Sequence, residues 1–222
     1  MEEELEFTVR RSARARRVRV CVDAHAGVEV VLPQRAAQRE AAAAIAELRP
    51  WIEKRLAAVA AARERAAQLA PPGCVPYLGE ALELRAQPGR TRAHRRAGVL
   101  LVPDHDPLPA VERWYRRAAR AEVAPRLDDA CAAIGVGYTQ LTIRNQRTRW
   151  GSCSSTGAMS FNWRLLLAPQ DVLGYVVWHE ACHLAVHDHS RRFWALLERH
   201  LPGYRAPQRW LRENGPALVL GI

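Results

Sequence analysis

Long apolar runs, paired cysteines and lysines are scarce in this sequence, and each scarcity excludes a class of protein. No stretch of the 222 residues approaches the apolar length that a membrane span requires. The run Met1-Glu2-Glu3-Glu4 is acidic where a secretory signal is basic and then apolar. The five cysteines include no Cys-x-x-Cys pair, which argues against a disulfide framework and a structural zinc knuckle. We therefore expect a cytoplasmic protein with reduced thiols and no membrane association.

Lysine is nearly absent, so arginine carries almost all of the positive charge. The formal net charge is +10, which suits contact with nucleic acid or another acidic partner. Six arginines are concentrated between Arg10 and Arg19. However, residues 18–22 alternate valine with arginine or cysteine, and residues 28–32 repeat an alternating pattern. This favours a half-buried β-hairpin with a basic solvent face, and a nucleic-acid contact through the Arg10 to Arg19 run is the alternative.

The remaining patterning predicts an α+β protein with two halves, residues 1–105 and 106–222. In the first half, residues 36–69 predict a helix interrupted near Pro50, because proline removes a backbone donor. Residues 77–84 and 97–102 predict a second hairpin, which turns at residues 87–89. The first half thus contains β-structure with a helical insertion.

The second half begins after a linker at residues 103–109 and carries the candidate chemistry. Residues 111–134 predict a long amphipathic helix that breaks near Pro125. Residues 141–143 predict a strand, residues 151–157 a turn, and residues 158–167 a returning strand.

The segment His179-Glu180-Ala181-Cys182-His183 is the most informative feature of the chain. Residues four apart on a helix lie within about 40° of each other, so both imidazoles can reach one metal ion. Glu180 projects beside them and is placed to take a proton from metal-bound water without being a ligand. A helix that begins near Asp171 and buries one apolar face would hold the motif at a cleft. That apolar face comprises Val172, Leu173, Val176 and Val177.

A catalytic zinc usually has three protein ligands, so a third donor is needed. His189 is favoured because Ser190 can cap a new helix and turn the chain back toward the ion. His187 would continue the same helix, about 6 Å along its axis from His183, where it could not easily share the ion. Glu198 is the other candidate, because some zinc hydrolases draw a carboxylate from a following helix.

Several ordered motifs make the chain resemble the YgjP-like family of predicted metal-dependent hydrolases. They are RTRWGSC at residues 147–153, NWRL at 162–165, HEACH at 179–183, HSRRFW at 189–194, PGY at 202–204 and WL at 210–211, with WIEK at 51–54 and YLGE at 77–80. The resemblance covers nearly the whole chain. One departure is Asp188, where the family pattern leads us to expect asparagine.

The resemblance implies a zincin-like, metallopeptidase-type catalytic half. In it, His179, His183 and His189 match the metal ligands and Glu180 matches the catalytic acid. It also implies that the hairpin formed by the strand at residues 141–143, the turn at 151–157 and the returning strand at 158–167 borders the cleft and aligns an extended substrate. Arg149, Trp150, Asn162 and Tyr204 are candidates to line that cleft, with Tyr204 as the best candidate for a donor to the oxyanion.

These observations predict a hydrolase that holds one Zn²⁺ per chain and cleaves amide bonds of a peptide or protein substrate. The first alternative is a metal-dependent nucleotide pyrophosphatase, in which Arg144, Arg147 and Arg149 would bind phosphates. The second is a nucleic-acid or protein binding module with a structural metal. A non-ligating glutamate between the two histidines disfavours it, because a structural site gains nothing from a base.

Overall fold

The computed structural model describes residues 5–23, 27–68, 70–146 and 148–220, and these residues form an α+β fold. The strands are β1 (Phe7–Ser12), β2 (Arg19–Asp23), β3 (Gly27–Pro33), β4 (Cys74–Tyr77), β5 (Glu80–Gln87), β6 (His94–Arg96), β7 (Val99–Pro103), β8 (Gln140–Arg144), β9 (Gly151–Cys153) and β10 (Ala158–Asn162). The helices are α1 (Arg39–Ala67), α2 (Pro107–Ile134), α3 (Gln170–His183), α4 (Arg191–His200) and α5 (Arg205–Asn214), with 3₁₀ turns at Trp163–Leu167 and Gly215–Ala217. Met1 to Glu4, Leu69 and Arg147, on which some predictions rest, lie outside the described residues. Among the helices described, none is long and apolar enough to cross a membrane.

The packing divides the chain into two compact units. The first comprises residues 1–65 and 213–219, and the second comprises residues 66–212 and 220–222. Strands β4 to β7 therefore belong to the unit that contains the HEACH segment. The predicted boundary near residue 105 concerns independently folding halves, and it stays a prediction.

In the first unit, a three-stranded sheet has the order β1-β3-β2 and packs against α1. Antiparallel pairing of β2 with β3 confirms the predicted first hairpin, with Val20 opposite Val30. Strand β1, which pairs parallel to β3, was not predicted. The apolar sheet face packs on Ala41, Ile45 and Ile52 of α1.

Two arginines of the N-terminal run bond within this unit. Arg10 pairs with Glu29, with 3.0 Å between Nε and Oε1. Arg11 Nη1 donates to the backbone carbonyls of Gln34 and Ala36, at 3.0 and 2.9 Å. Both arginines lie on β1, outside the predicted hairpin, and the nucleic-acid contact through the Arg10 to Arg19 run stays a prediction.

The predicted interruptions at Pro50 and Pro125 are wrong, because both prolines lie inside continuous helices. An internal proline costs about 3 kcal/mol. Buried aliphatic side chains on each side of it contribute about 1.5–3 kcal/mol apiece. Ile45 and Ile52 flank Pro50, whereas Val123 and Leu127 flank Pro125, and all four are buried. Packing on both flanks therefore outweighs the local cost.

The predicted second hairpin is also wrong, because β5 and β7 pair in parallel. The sheet has the order β4-β5-β7-β6, so its tight turns join β4 to β5 and β6 to β7. The first turn contains Leu78 and Gly79, with φ of 53° and 93°, and the second contains Ala97, with φ of 51°. Positive φ values of this kind suit two-residue hairpin loops. The predicted strand over 77–84 thus spans the turn between β4 and β5, the predicted strand over 97–102 overlaps β7, and β4 and β6 were not predicted as strands.

The third sheet, of order β8-β10-β9, lies beside α3 in the second unit. Residues 151–153, predicted as part of a turn, form the outer strand β9 and pair antiparallel to β10. The predicted hairpin of residues 141–143 with 158–167 is wrong, because β8 and β10 pair in parallel. The predicted strand over 158–167 ends at Asn162, and a 3₁₀ turn follows. Asn162 ends the strand because its Oδ1 accepts a hydrogen bond from the Arg164 N–H, at 3.1 Å.

Candidate metal centre

Helix α3 carries the first part of the site. It begins at Gln170 and ends at His183, and the four predicted apolar residues Val172, Leu173, Val176 and Val177 are buried, as expected from their spacing. Burial of that face fixes the rotation of the helix about its axis. His179 and His183, one turn apart, consequently face the same side.

The chain turns back after His183, and this turn positions His189. Because α3 ends at His183, the expectation that His187 continues the same helix is wrong, and His187 is exposed. Asp188, the departure from the family pattern, stabilises the turn: its Oδ1 accepts a hydrogen bond from the Ser190 N–H at 3.1 Å. Glu198 is exposed on α4.

Three of the candidate ligands come together. Each of His179, His183 and His189 offers one nitrogen, and these atoms lie within 4.8 Å of one another. His179 Nε2 and His189 Nε2 are 3.0 Å apart. Two nitrogens that bind one zinc ion at about 2.0–2.1 Å in tetrahedral geometry are separated by about 3.3 Å. Neither His187 nor Glu198 is part of this group or of any other such group among the described residues.

The imidazole of His183 is held in one tautomer. Its Nδ1–H donates to the backbone carbonyl of Val186 at 3.1 Å, which leaves a lone pair on Nε2 for an ion. Burial lowers the pKa of His183. Burial, reinforced by the neighbouring His183 and His189, lowers the pKa of His179 to about 3. Both rings are therefore neutral near pH 7, the form that binds a metal.

Aromatic side chains enclose the three imidazoles. The fully buried Phe193 ring lies 4.5 to 4.9 Å from all three imidazole centroids and stacks on His183. Trp194 packs on His189, with 5.7 Å between ring centroids. His179 Nδ1 is buried without a hydrogen-bond partner among the described residues, so packing positions its ring. These aromatic contacts position the imidazoles, while His189 itself remains exposed.

Glu180 lies against strand β9 and is only 7% exposed. A Cβ atom on Gly151 would lie 2.6 Å from Glu180 Oε1, so only glycine permits this approach. Burial raises the pKa of Glu180 to about 7, while the Arg149 charge and a hydrogen bond from the Cys153 N–H oppose the rise. A carboxyl group that titrates near neutrality is suited to accept and return a proton.

A pocket of about 220 Å³ opens beside His179 and Glu180. The candidates Arg149 and Trp150 line it, together with Thr148, Gly151, Tyr175, Val176 and Leu211. Tyr204 does not line this pocket: its ring stacks on Tyr175 and Trp194, and it lines a separate cavity of about 750 Å³. The geometry therefore does not support Tyr204 as an oxyanion donor.

Asn162, another candidate for the cleft, has a structural position. It is 2% exposed, and its Nδ2 donates to the carbonyls of Gln146 and Arg149 at 2.7 and 3.2 Å. With the bond from Arg164, the side chain ties the loop before β9 to the turn after β10. Asn162 therefore fixes the backbone from which Arg149 projects.

Replacing Asn162 with alanine is expected to lower the free energy of unfolding by about 2–4 kcal/mol, because three buried hydrogen bonds are lost at about 0.5–1.5 kcal/mol each. Urea unfolding followed by tryptophan fluorescence measures the change. Asn145→Ala, which removes one exposed hydrogen bond to Glu112, is the matched control. Equal, small effects of both substitutions would contradict the structural role.

The residues present fit a divalent metal. Three imidazoles match the ligands that zinc prefers, and they leave a coordination position open. Cys182, which lies between the two helical histidines, is outside the group. It is fully buried, and burial raises the pKa of its thiol to about 11, so it remains a packed thiol.

Comparison with known proteins shows the family of the chain. No curated protein matches the sequence. Among solved structures, the chain is similar to the crystal structure of the metallopeptidase zymogen of Pyrococcus abyssi abylysin, with 23% identity over 40% of this chain and 92% of that chain and a TM-score of 0.37. A family model described as YgjP-like, metallopeptidase domain, matches residues 16–214. That match covers most of the chain and both segments that build the histidine group, so the chain belongs to the YgjP-like family.

Proposed function

We propose that this chain is a zinc-dependent metallopeptidase that hydrolyses amide bonds and holds one zinc ion per chain. One observation carries the proposal. The buried carboxyl group of Glu180 lies beside three converging imidazoles, and strand β9 fixes it through Gly151 and the Cys153 N–H. A site that only bound metal for stability would not need this carboxyl group.

His179, His183 and His189 would hold the ion. When bound, zinc supplies Lewis acidity that polarises a carbonyl and lowers the pKa of water. Glu180 takes the proton that the attacking water loses onto a carboxylate oxygen and then delivers it to the leaving nitrogen. The Cys153 N–H orients that carboxylate, and the rings of Phe193 and Trp194 pack on the histidines and orient them. The outer strand β9, which lies beside Glu180, suits an extended peptide substrate.

The nucleotide pyrophosphatase alternative requires several cations around the transferred phosphates. Of the three arginines considered for that role, Arg149 lines the pocket and Arg144 does not, whereas Arg147 lies outside the described residues. Among the described residues that line the pocket, Arg149 is the one guanidinium, and this favours a substrate of lower charge. An amide bond is therefore the bond that we propose this enzyme cleaves.

The proposed function is tested with zinc-loaded wild type and Glu180→Gln on peptide and nucleotide libraries in parallel. We expect the wild type to cleave peptides and the variant to cleave neither library. Cleavage of nucleotides alone by the wild type, lost in Glu180→Gln, would replace the peptidase assignment. Failure to cleave either library would contradict it.

Replacing Gly151 with alanine is expected to lower turnover by about 10²-fold, because the new methyl group must displace Glu180 and a misplacement of about 1 Å can cost that much. Overpacking should also lower stability by about 1–3 kcal/mol. Zinc content should remain normal, since the three atoms nearest to the methyl group all belong to Glu180, which is not a ligand. Turnover and zinc content are measured on one preparation.

Gly174→Ala is the matched control for this substitution. Gly174 lies on the same helix as Glu180, and a Cβ there meets no atom within 4 Å. It should retain turnover and gain up to about 1 kcal/mol of stability from helix propensity. Full turnover of Gly151→Ala would show that β9 does not position Glu180.

A further inference from the structure

The pocket beside His179 and Glu180 is too small for a whole ligand of ordinary size. Its volume is about 220 Å³. Sites that enclose complete small-molecule ligands occupy about 300–1,000 Å³. The pocket therefore suits one part of a longer substrate, such as the residue next to the bond that is cleaved.

Arg149 supplies the positive charge of this pocket. The other polar groups that line it are the imidazole of His179, the hydroxyls of Thr148 and Tyr175 and the carboxyl group of Glu180. The Arg149 side chain is exposed, and no carboxylate of the described residues forms an ion pair with it within 4.0 Å. The Arg149 guanidinium interacts electrostatically with the Glu180 carboxyl group, but that carboxyl group is buried against β9. The guanidinium can therefore accept an anionic group from the substrate.

The backbone that carries Arg149 is fixed. Asn162 Nδ2 donates to the carbonyl of Arg149, and the Asn162 N–H donates to the carbonyl of Trp150 at 2.8 Å. Two residues later, Gly151 packs against Glu180. The guanidinium therefore extends from a rigid base next to the reacting groups, which reduces the ordering that substrate binding would require.

We infer that Arg149 determines specificity by binding a carboxylate of the peptide substrate within one residue of the scissile amide bond. The inference rests on the proposed metallopeptidase function. A guanidinium matches a planar carboxylate with two parallel hydrogen bonds. One cation in a small pocket suits one carboxylate better than a polyphosphate. The carboxylate has two sources, the free C-terminus of a peptide or the side chain of an aspartate or glutamate.

Paired peptide libraries distinguish these sources. One pair has degenerate sequences that end in a free acid or in an amide, and the other has an internal glutamate or an internal glutamine with both ends blocked. Turnover is compared for wild type, Arg149→Met and Arg149→Lys. Arg144→Met, which replaces an exposed arginine of β8 outside the pocket, is the matched control. Binding of the same libraries to zinc-loaded Glu180→Gln, with and without Arg149→Met, provides a readout independent of turnover.

We expect the wild type to favour the acid or the glutamate member of one pair by about 10- to 100-fold in kcat/KM. This is the size of effect that hydrogen bonds to a charged group usually contribute to binding. Arg149→Met should abolish that preference by raising KM for the charged member, while turnover of the neutral member persists. Arg149→Lys should restore part of it, and Arg144→Met should leave it unchanged. A preference that survives Arg149→Met, or no preference in either pair, overturns the inference.

The outcomes separate this inference from the proposed function. If the wild type cleaves peptides without preference, the function stands and the role of Arg149 is wrong. If the wild type cleaves none, the proposed function fails. The binding comparison in the Glu180→Gln background then decides the inference, and binding that does not depend on Arg149 overturns it.

Discussion

Glu180→Gln is expected to lower turnover by about 10²- to 10⁴-fold, the usual effect of losing a general acid or base, and to leave zinc content nearly normal. Glutamine fills the same space beside Gly151, but its amide cannot take a proton from the attacking water. The carboxyl group touches β9 and is not one of the three converging ligands. Zinc content by elemental analysis and turnover are measured on the same preparation.

Glu198→Gln serves as the control, because Glu198 is an exposed carboxylate on α4. It should retain both zinc and turnover. Simultaneous loss of zinc and activity in Glu180→Gln would instead indicate a ligand or a folding role for Glu180. Turnover of Glu180→Gln at the wild-type rate would show that another group is the base.

His189→Ala is expected to weaken zinc binding by on the order of 10²- to 10³-fold. Binding free energies of about 10–16 kcal/mol for four-ligand zinc sites correspond to roughly 2.5–4 kcal/mol per ligand. His187→Ala should change affinity little, because His187 is exposed beyond the end of α3 and outside the histidine group. Competition with a chromogenic chelator measures both constants.

Equal losses from His189→Ala and His187→Ala would contradict the ligand assignment. A larger loss from Glu198→Ala would replace His189 with a carboxylate ligand. Either result would require the chain to rearrange after His183 when the ion binds.

The histidine group shows how far local spacing determines a site. Helical periodicity places His179 and His183 on one face, and the apolar residues of α3 fix which way that face points. Predicting the position of His189 required more than helical spacing, because that position depends on where α3 ends and on a turn that Asp188 stabilises. The Val186 carbonyl that orients His183 had no sequence signal, since any residue supplies a carbonyl.

Contacts between distant segments could not be predicted from the sequence. Nothing near Gly151 indicates that it packs against Glu180, because that contact depends on how β9 and α3 meet. Strand pairing failed for the same reason: alternation located β5 and β7 but did not choose parallel pairing. Gly79 and Gly98 lie in the turns that join β4 to β5 and β6 to β7, and these glycines could have indicated both turns from the sequence. Pro50 and Pro125 remain inside helices because tertiary packing outweighs the local cost of an internal proline.

X-ray absorption at the zinc edge tests the central claim most directly. The zinc-loaded protein should show one zinc ion per chain with three imidazole nitrogens at about 2.0–2.1 Å and a lighter fourth ligand. His189→Ala should lose one imidazole contribution, while Glu180→Gln should keep all three. A sulfur ligand at about 2.3 Å, fewer than three imidazoles in the wild type, or failure to bind zinc with all three histidines intact would contradict the account.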